Sequence, residues 1–240
     1  HEVAEITGNS QVAGVKVGDE VIKADIVVMG AGVRADTELA GKSGLIIGEA
    51  GGIRVDEKLM TSEKDIFAAG DCVEYPHIVS GKPQVCGLGT IAMRQGLVAG
   101  TNAAGGNTAA PPVLGATILK LFDVQIGSVG LTEAAAKEAN FTPVSITSKH
   151  SSLPHYYPGG VPVTVRLIAD KNTQRILGAQ FLAPGETGVA QRVNAMSLAI
   201  MKQMTLNEII NADFCYSPPC TDIWSAEAVA AQTLLRRLQR

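Results

Sequence analysis

Residues 61–71, TSEKDIFAAGD, constrain the fold of this chain more than any other stretch of it. Thr61-Ser62 can close a turn, and Ile66-Phe67-Ala68-Ala69 is a short apolar run that reads as a buried parallel strand. Gly70-Asp71 then stands at its C-terminal end. In open α/β sheets, ligands bind outside the carboxyl ends of the strands. A glycine there lets a bulky ligand approach the backbone, and an aspartate carboxylate accepts hydrogen bonds from ligand hydroxyls. A helix-compatible segment over 89–104 follows, and the amides of its first turn would point toward the same place. An ordinary strand closing in a Gly-Asp turn would account for Ala69-Gly70-Asp71 alone, but not for the full pattern.

Hydrophobic residues at 46% against 18% charged ones indicate a folded globular chain. No apolar stretch reaches the ~18 residues of a membrane-spanning helix. The formal net charge of -3 argues against a nucleic-acid partner. Cys72, Cys86, Cys215 and Cys220 are too scattered for a disulfide framework, which suits a reducing cytoplasm. The chain starts with His1 and continues as a strand in progress, without a basic-then-apolar leader, so it reads as a piece of a longer protein.

Residues 2–30 read as a β-meander with turns at Gly8-Asn9 and Gly18-Asp19. Its last run, Ala24-Asp25-Ile26-Val27-Val28-Met29, has the continuous β-branched character of a strand buried on both faces. Gly30-Ala31-Gly32-Val33-Arg34-Ala35 matches G-x-G-x-x-A, with Glu49 as a distant acid, but only about two helical turns separate it from Gly44. A linker ends at Pro111-Pro112, and a second domain starts near Val113. Strands are expected over 116–122, 124–129 and 144–147, with a helix capped by Thr132 between the last two. A hairpin over 163–182 and helices over 188–202, 206–211 and 226–240 complete an α+β pattern. Val189, Val193, Met196 and Ile200 form one apolar stripe.

The 61–71 stretch resembles the second flavin-binding signature of the pyridine nucleotide-disulfide oxidoreductases, T-S-x-x-x-I-[FY]-A-x-G-D. The resemblance implies that Gly70 and Asp71 hold the ribityl chain of FAD, and that Leu88, Gly89 and Thr90 turn backbone N–H groups toward the flavin ring. Residues 24–39 resemble the segment where such chains pass from the NAD(P)H domain back to the FAD domain, and Gly32 there is counted with the cofactor contacts. Phe214-Cys215-Tyr216-Ser217-Pro218-Pro219-Cys220 carries the Y-x-P-P of the coenzyme A-disulfide reductase and NADH oxidase branch, and Tyr156-Tyr157-Pro158-Gly159 is also similar to that branch.

The implied architecture is an α/β remnant of FAD/NAD(P)-binding domains followed by an α+β dimerisation domain, a mixed sheet with flanking helices. Residues 1–36 would end the NAD(P)H domain, 37–110 would be the second part of the FAD domain, and 113–240 the dimerisation domain. The family's opening Rossmann turn, reactive cysteine and NADH turn are not found, so the resemblance implies the carboxyl half of a homodimeric flavoprotein, inactive alone. Its electrons would pass from NAD(P)H through flavin to a disulfide, a polysulfide or oxygen. Tyr216, and one of Tyr156 and Tyr157, would reach the sulfur centre of the partner subunit.

Cys215 and Cys220 read either as a redox relay or as packing residues, and Cys72 and Cys86 as packing. His77, His150 and His155 read as surface or loop residues, and Trp224 as an anchor for the last helix. A cofactor-free dimerisation module would need only the 189–200 stripe and the C-terminal helix. A ferredoxin- or rubredoxin-type reductase would share the Ala-x-Gly-Asp strand but has no reason to carry Y-x-P-P.

Overall fold

The computed structural model describes residues 2–185 and 187–239, which fall into two units, 1–34 and 35–240. The first is a meander of β1 (Val3–Gly8), β2 (Val12–Val17) and β3 (Glu20–Lys23). Val15 on the middle strand pairs with Ile6 on one side and Ile22 on the other. The strand expected over 24–29 does not form. Those residues are irregular, and Ile26, Val28 and Met29 are 80%, 89% and 78% exposed. A doubly buried strand needs partners on both edges, and β3 turns the ladder no further.

In the second unit, a short helix α1 (Glu38–Lys42) leads to a small sheet of β4 (Ile53–Arg54), β5 (Val73–Pro76) and β6 (Pro83–Val85), and then to α2 (Gly89–Ala103). The parallel pair is β4 with β5. The run at 66–69, expected as a parallel strand, is instead a half-buried extended loop held by a single antiparallel bridge of Phe67 to Met60. Its backbone is spent locally: Ile66 O accepts from Thr61 N at 2.8 Å, and Ala68 N donates to Leu59 O at 3.1 Å. Gly70 and Asp71 therefore lead into the parallel strand rather than leaving it.

Asn102 closes the end of α2. Its amide donates to Lys58 O and Thr108 O, and its carbonyl accepts from Thr108 N, each at 2.8 Å. That fixes the linker before the next sheet.

The remaining strands, β7 (Thr117–Leu121), β8 (Val124–Gly130), β9 (Pro143–Ser151), β10 (Pro162–Asp170) and β11 (Ile176–Pro184), form one antiparallel sheet in the order β7-β8-β11-β10-β9. Between β8 and β9, α3 (Glu133–Glu138) starts as expected at Thr132, whose hydroxyl accepts from Ala135 N at 3.2 Å. Then come α4 (Val189–Met201), α5 (Leu206–Ile210) and α6 (Ala226–Leu238). Period-2 alternation sends Val163, Val165 and Leu167 to the same core as Ala179, Phe181 and Ala183, where α4 and α6 supply Met196 and Leu234. Gly127 permits this approach: a Cβ there would stand 2.5 Å from Val193 and 2.9 Å from Val189. The stripe of Val189, Val193, Met196 and Ile200 is consumed by this core, each residue 3% exposed or less.

His77, expected as a surface or loop residue, lies at the turn after β5 but is buried, 3% exposed. Its Nδ1 accepts from Val79 N at 3.2 Å and Ser80 N at 3.3 Å, leaving the other nitrogen to donate to the Leu114 carbonyl. It thereby ties the end of β5 to the start of the large sheet's segment. Burial pushes its pKa down, against the raising effect of the Leu114 bond. The fold favours neutral imidazole, so this contribution is complete above the ordinary value of 6.5 and declines as pH falls below it. Thermal melting midpoints should be nearly flat from pH 8 to 7 and drop toward pH 5, and His77→Gln should flatten that drop. Parallel profiles for the two proteins would refute the assignment.

Candidate functional site

Gly70 begins a single 3-10 turn, Gly70–Cys72, with a φ of +83°, a conformation that glycine adopts without strain. Its N–H donates to the Oε1 of Gln95 at 2.9 Å, and a Cβ at Gly70 would stand 3.2 Å from the Cβ of Ala92. The first turns of α2 thus press directly against the Gly70-Asp71 backbone. Gln95 is 4% exposed, and the sequence reading missed it. Its only signal was position: it shares the inward face of α2 with Ile91, Ala99 and Asn102.

The Asp71 side chain points outward and takes no hydrogen bond among the described residues. Burial pushes the neighbouring Cys86 thiol up, and the Asp71 charge adds to it. Cys86 is therefore held as the unreactive thiol. Leu88 is the residue before α2, in extended conformation and without a side-chain cap. Its N–H is not free, contrary to expectation, because it donates to Cys86 O at 2.9 Å. The Leu88 carbonyl accepts from both Ile91 N and Ala92 N at 2.9 Å. The amides of Gly89 and Thr90, both exposed, find no acceptor among the described residues. An outward carboxylate thus stands on the turn that packs against α2, and the first two amides of that helix are open.

Gly32 lies in the first unit, exposed, at a φ of +86°. No helix opens after residues 30–35, and α1 starts only at Glu38 with five residues, so that turn lacks the helix a phosphate-binding fingerprint requires.

The tyrosines meet. The hydroxyls of Tyr156 and Tyr216, 60 residues apart in sequence, lie 2.6 Å from each other. Tyr157 takes no part in that bond and is 37% exposed. The bond to Tyr156, more than partial burial, pushes the Tyr216 phenol above its usual range, with the charge of Asp222 contributing last. The Tyr156 ring stands edge-on to His155, centroids 5.6 Å apart. Tyr216 is carried on a tight turn in which Cys220 N and Thr221 N both donate to Ser217 O, at 2.8 and 2.9 Å.

Cys215 and Cys220 flank Tyr216, exposed and unbonded, so they are not the buried packing residues of one reading. Both line an apolar groove of about 470 Å³ beside α4. Trp224, expected to anchor α6, is 48% exposed. That helix is capped by Ser225, whose hydroxyl accepts from Ala228 N at 3.1 Å, so the cap fixes the helix start without the indole.

Comparison with known proteins supplies the lineage. The chain is 37% identical to an NADH oxidase of Methanocaldococcus jannaschii over 97% of its own length and 51% of that protein's. It is 34% identical to a CoA-dependent NAD(P)H sulfur oxidoreductase of Pyrococcus abyssi, again over 97% of this chain and 51% of the other. Among solved structures, an NAD-dependent persulfide reductase from A. fulgidus superposes with a TM-score of 0.92 at 35% identity, covering 99% of this chain and 44% of that one. The chain thus spans about half the length of the relatives it matches. Residues 1–96 match the pyridine nucleotide-disulphide oxidoreductase model and residues 117–228 that family's dimerisation-domain model. No helix among the described residues is long and apolar enough to cross a membrane. Two family models lying in order along one chain, over folds that superpose on a reductase of the same kind, place this chain in the pyridine nucleotide-disulphide oxidoreductase family.

Proposed function

We propose that this chain serves an FAD-dependent NAD(P)H oxidoreductase of the coenzyme A-disulfide reductase and NADH oxidase type, acting as a homodimer. Residues 37–110 would form part of the flavin-binding domain and 113–240 the association domain, after a 1–36 remnant of the NAD(P)H domain. The observation that carries this reading is the outward Asp71 on a turn clamped to α2 by Gln95, with the amides of Gly89 and Thr90 open at the start of that helix. Those residues fit a polyhydroxyl chain joined to an electron-poor ring: the carboxylate accepts from hydroxyls, and the helix start favours accumulating negative charge. Bound FAD would supply hydride acceptance from NAD(P)H and onward delivery of electrons to a disulfide, polysulfide or oxygen.

The chain's own residues hold and orient. Gly70, clamped by Gln95, keeps the Asp71 backbone against α2. Tyr216 with Tyr156, rather than Tyr157, presents a phenol able to donate a hydrogen bond to a thiolate or a proton to a leaving thiolate across the dimer. A cofactor-free association module loses its main support, because the 189–200 stripe is buried in the chain's own core.

Asp71→Ala should weaken FAD binding roughly 10- to 100-fold, the loss of one charge-assisted hydrogen bond. Flavin fluorescence quenching on titration of the protein with FAD measures it. Unchanged affinity would remove the basis of the reading.

A further inference from the structure

The loop after β9 that carries Tyr156 and the turn that carries Tyr216 are joined at a second point. His150, the penultimate residue of β9, places its Nε2 3.0 Å from the Oδ2 of Asp222. An ionised carboxylate only accepts, so Nε2 donates. The pair is partly sheltered, with side chains 25% and 19% exposed. The other carboxylate oxygen accepts from Ile223 N at 2.7 Å, which fixes the Asp222 rotamer. An antiparallel bridge pairs Ser217 with Thr221, and continuing that register sets Tyr216 opposite Asp222.

On the β9 side, the chain runs from His150 through a loop to Tyr156 and returns on β10, where Val163 pairs with His150. The loop is braced at its neck by Ser152, whose N–H donates to Val161 O at 2.8 Å and whose hydroxyl accepts from Val161 N at 3.0 Å. Two segments about 60 residues apart are thus clasped twice, once by the tyrosine hydroxyls and once by the imidazole and carboxylate. Glu227, the acidic residue of α6, does not compete for His150, since Arg192 holds it at 2.8 Å.

We propose that His150 and Asp222 are positioning residues for the Tyr156–Tyr216 pair: the imidazole–carboxylate bond pins the 215–223 turn to the end of β9 and so holds the two phenols in register. This rests on the tyrosine role proposed above only for its use in catalysis. The clasp itself is a property of the chain without cofactor or substrate. Without it, the 2.6 Å contact would link two exposed loops by one surface hydrogen bond, too weak alone to order them.

The test is the ionisation of Tyr216, followed by NMR of protein carrying ring-labelled tyrosine, with the Tyr216 signal assigned through Tyr216→Phe. His150→Phe and Asp222→Ala break the clasp. Asp222→Asn keeps an acceptor for His150 while removing the charge. In His150→Phe the Tyr216 midpoint should fall to the value found in Tyr156→Phe, as loss of the tyrosine contact requires. Asp222→Ala should fall at least as far and Asp222→Asn less. If His150→Phe fails to fold, the contrast between Asp222→Ala and Asp222→Asn decides. A wild-type midpoint in His150→Phe, or identical midpoints for Asp222→Ala and Asp222→Asn, overturns the proposal. Since no flavin enters the measurement, its outcome is independent of the FAD titration of Asp71→Ala.

Discussion

Arg192→Met should cost the chain about 3–5 kcal/mol of folding stability, because it strands a buried carboxylate. Arg192 Nη1 donates to both oxygens of Glu227, at 3.0 and 2.8 Å, and Nε reaches Thr187 O at 3.4 Å. The side chains are 17% and 7% exposed, so water does little to replace the lost partner. The pair joins the first turn of α4 to the first turn of α6, the two helices that cover the large sheet. A buried pair is worth little over an apolar substitute of similar shape, however. Arg192→Met combined with Glu227→Leu should therefore recover most of the loss. Urea unfolding followed by fluorescence of Trp224, the single tryptophan of the chain, reads both proteins. A single variant as stable as the parent would show that the carboxylate finds water or another donor.

Phe181→Ala should cost a similar amount, about 3–5 kcal/mol, through a different cause. Phe181 sits on β11, paired with Val165 on one side and Gly127 on the other, and is 2% exposed. Its ring fills the layer between the sheet and α4, so truncation removes transfer free energy and leaves a void that rigid neighbours cannot close. Phe181→Leu should recover more than half. Equal destabilisation by Leu and Ala would mean that aromatic shape rather than volume holds this layer.

Within the large sheet, the β10–β11 hairpin was legible because a short turn joins its strands, whereas β8 meets β11 only across α3, β9 and β10. Alternation along 163–169 and 176–182 fixes which side chains face α4, and β10 and β11 extend the expected strands by only one or two residues at the ends, whereas β9, expected over 144–147, runs on to Ser151. Thr132, standing before an acidic residue and an apolar run, gave the start of α3 within one residue. The end of the first unit and the approach to the small sheet were less legible. The β-branched run at 24–29 and the apolar run at 66–69 both read as strands, but a strand exists only where another backbone offers its donors and acceptors, and no periodicity encodes that. His77 illustrates the same limit for polar residues: its type suggests a surface, and the Val79 and Ser80 amides together with the Leu114 carbonyl satisfy the ring where it is buried.

At the candidate site, motif spacing identified Gly70, Asp71 and the α2 start, since the chain is continuous there. It did not identify Gln95, nor which tyrosine of Tyr156 and Tyr157 meets Tyr216. The second question depends on how a loop folds back over about 60 residues. Local sequence carries no record of that distance.

The close approach at Gly127 bears on how such chains can drift over evolutionary time. Each added atom at position 127 collides with two valines on α4, so the three sites form one shared volume rather than three independent choices. An alanine at 127 would require the valines at 189 and 193 to shift or shrink, so substitutions at the three sites should be linked events.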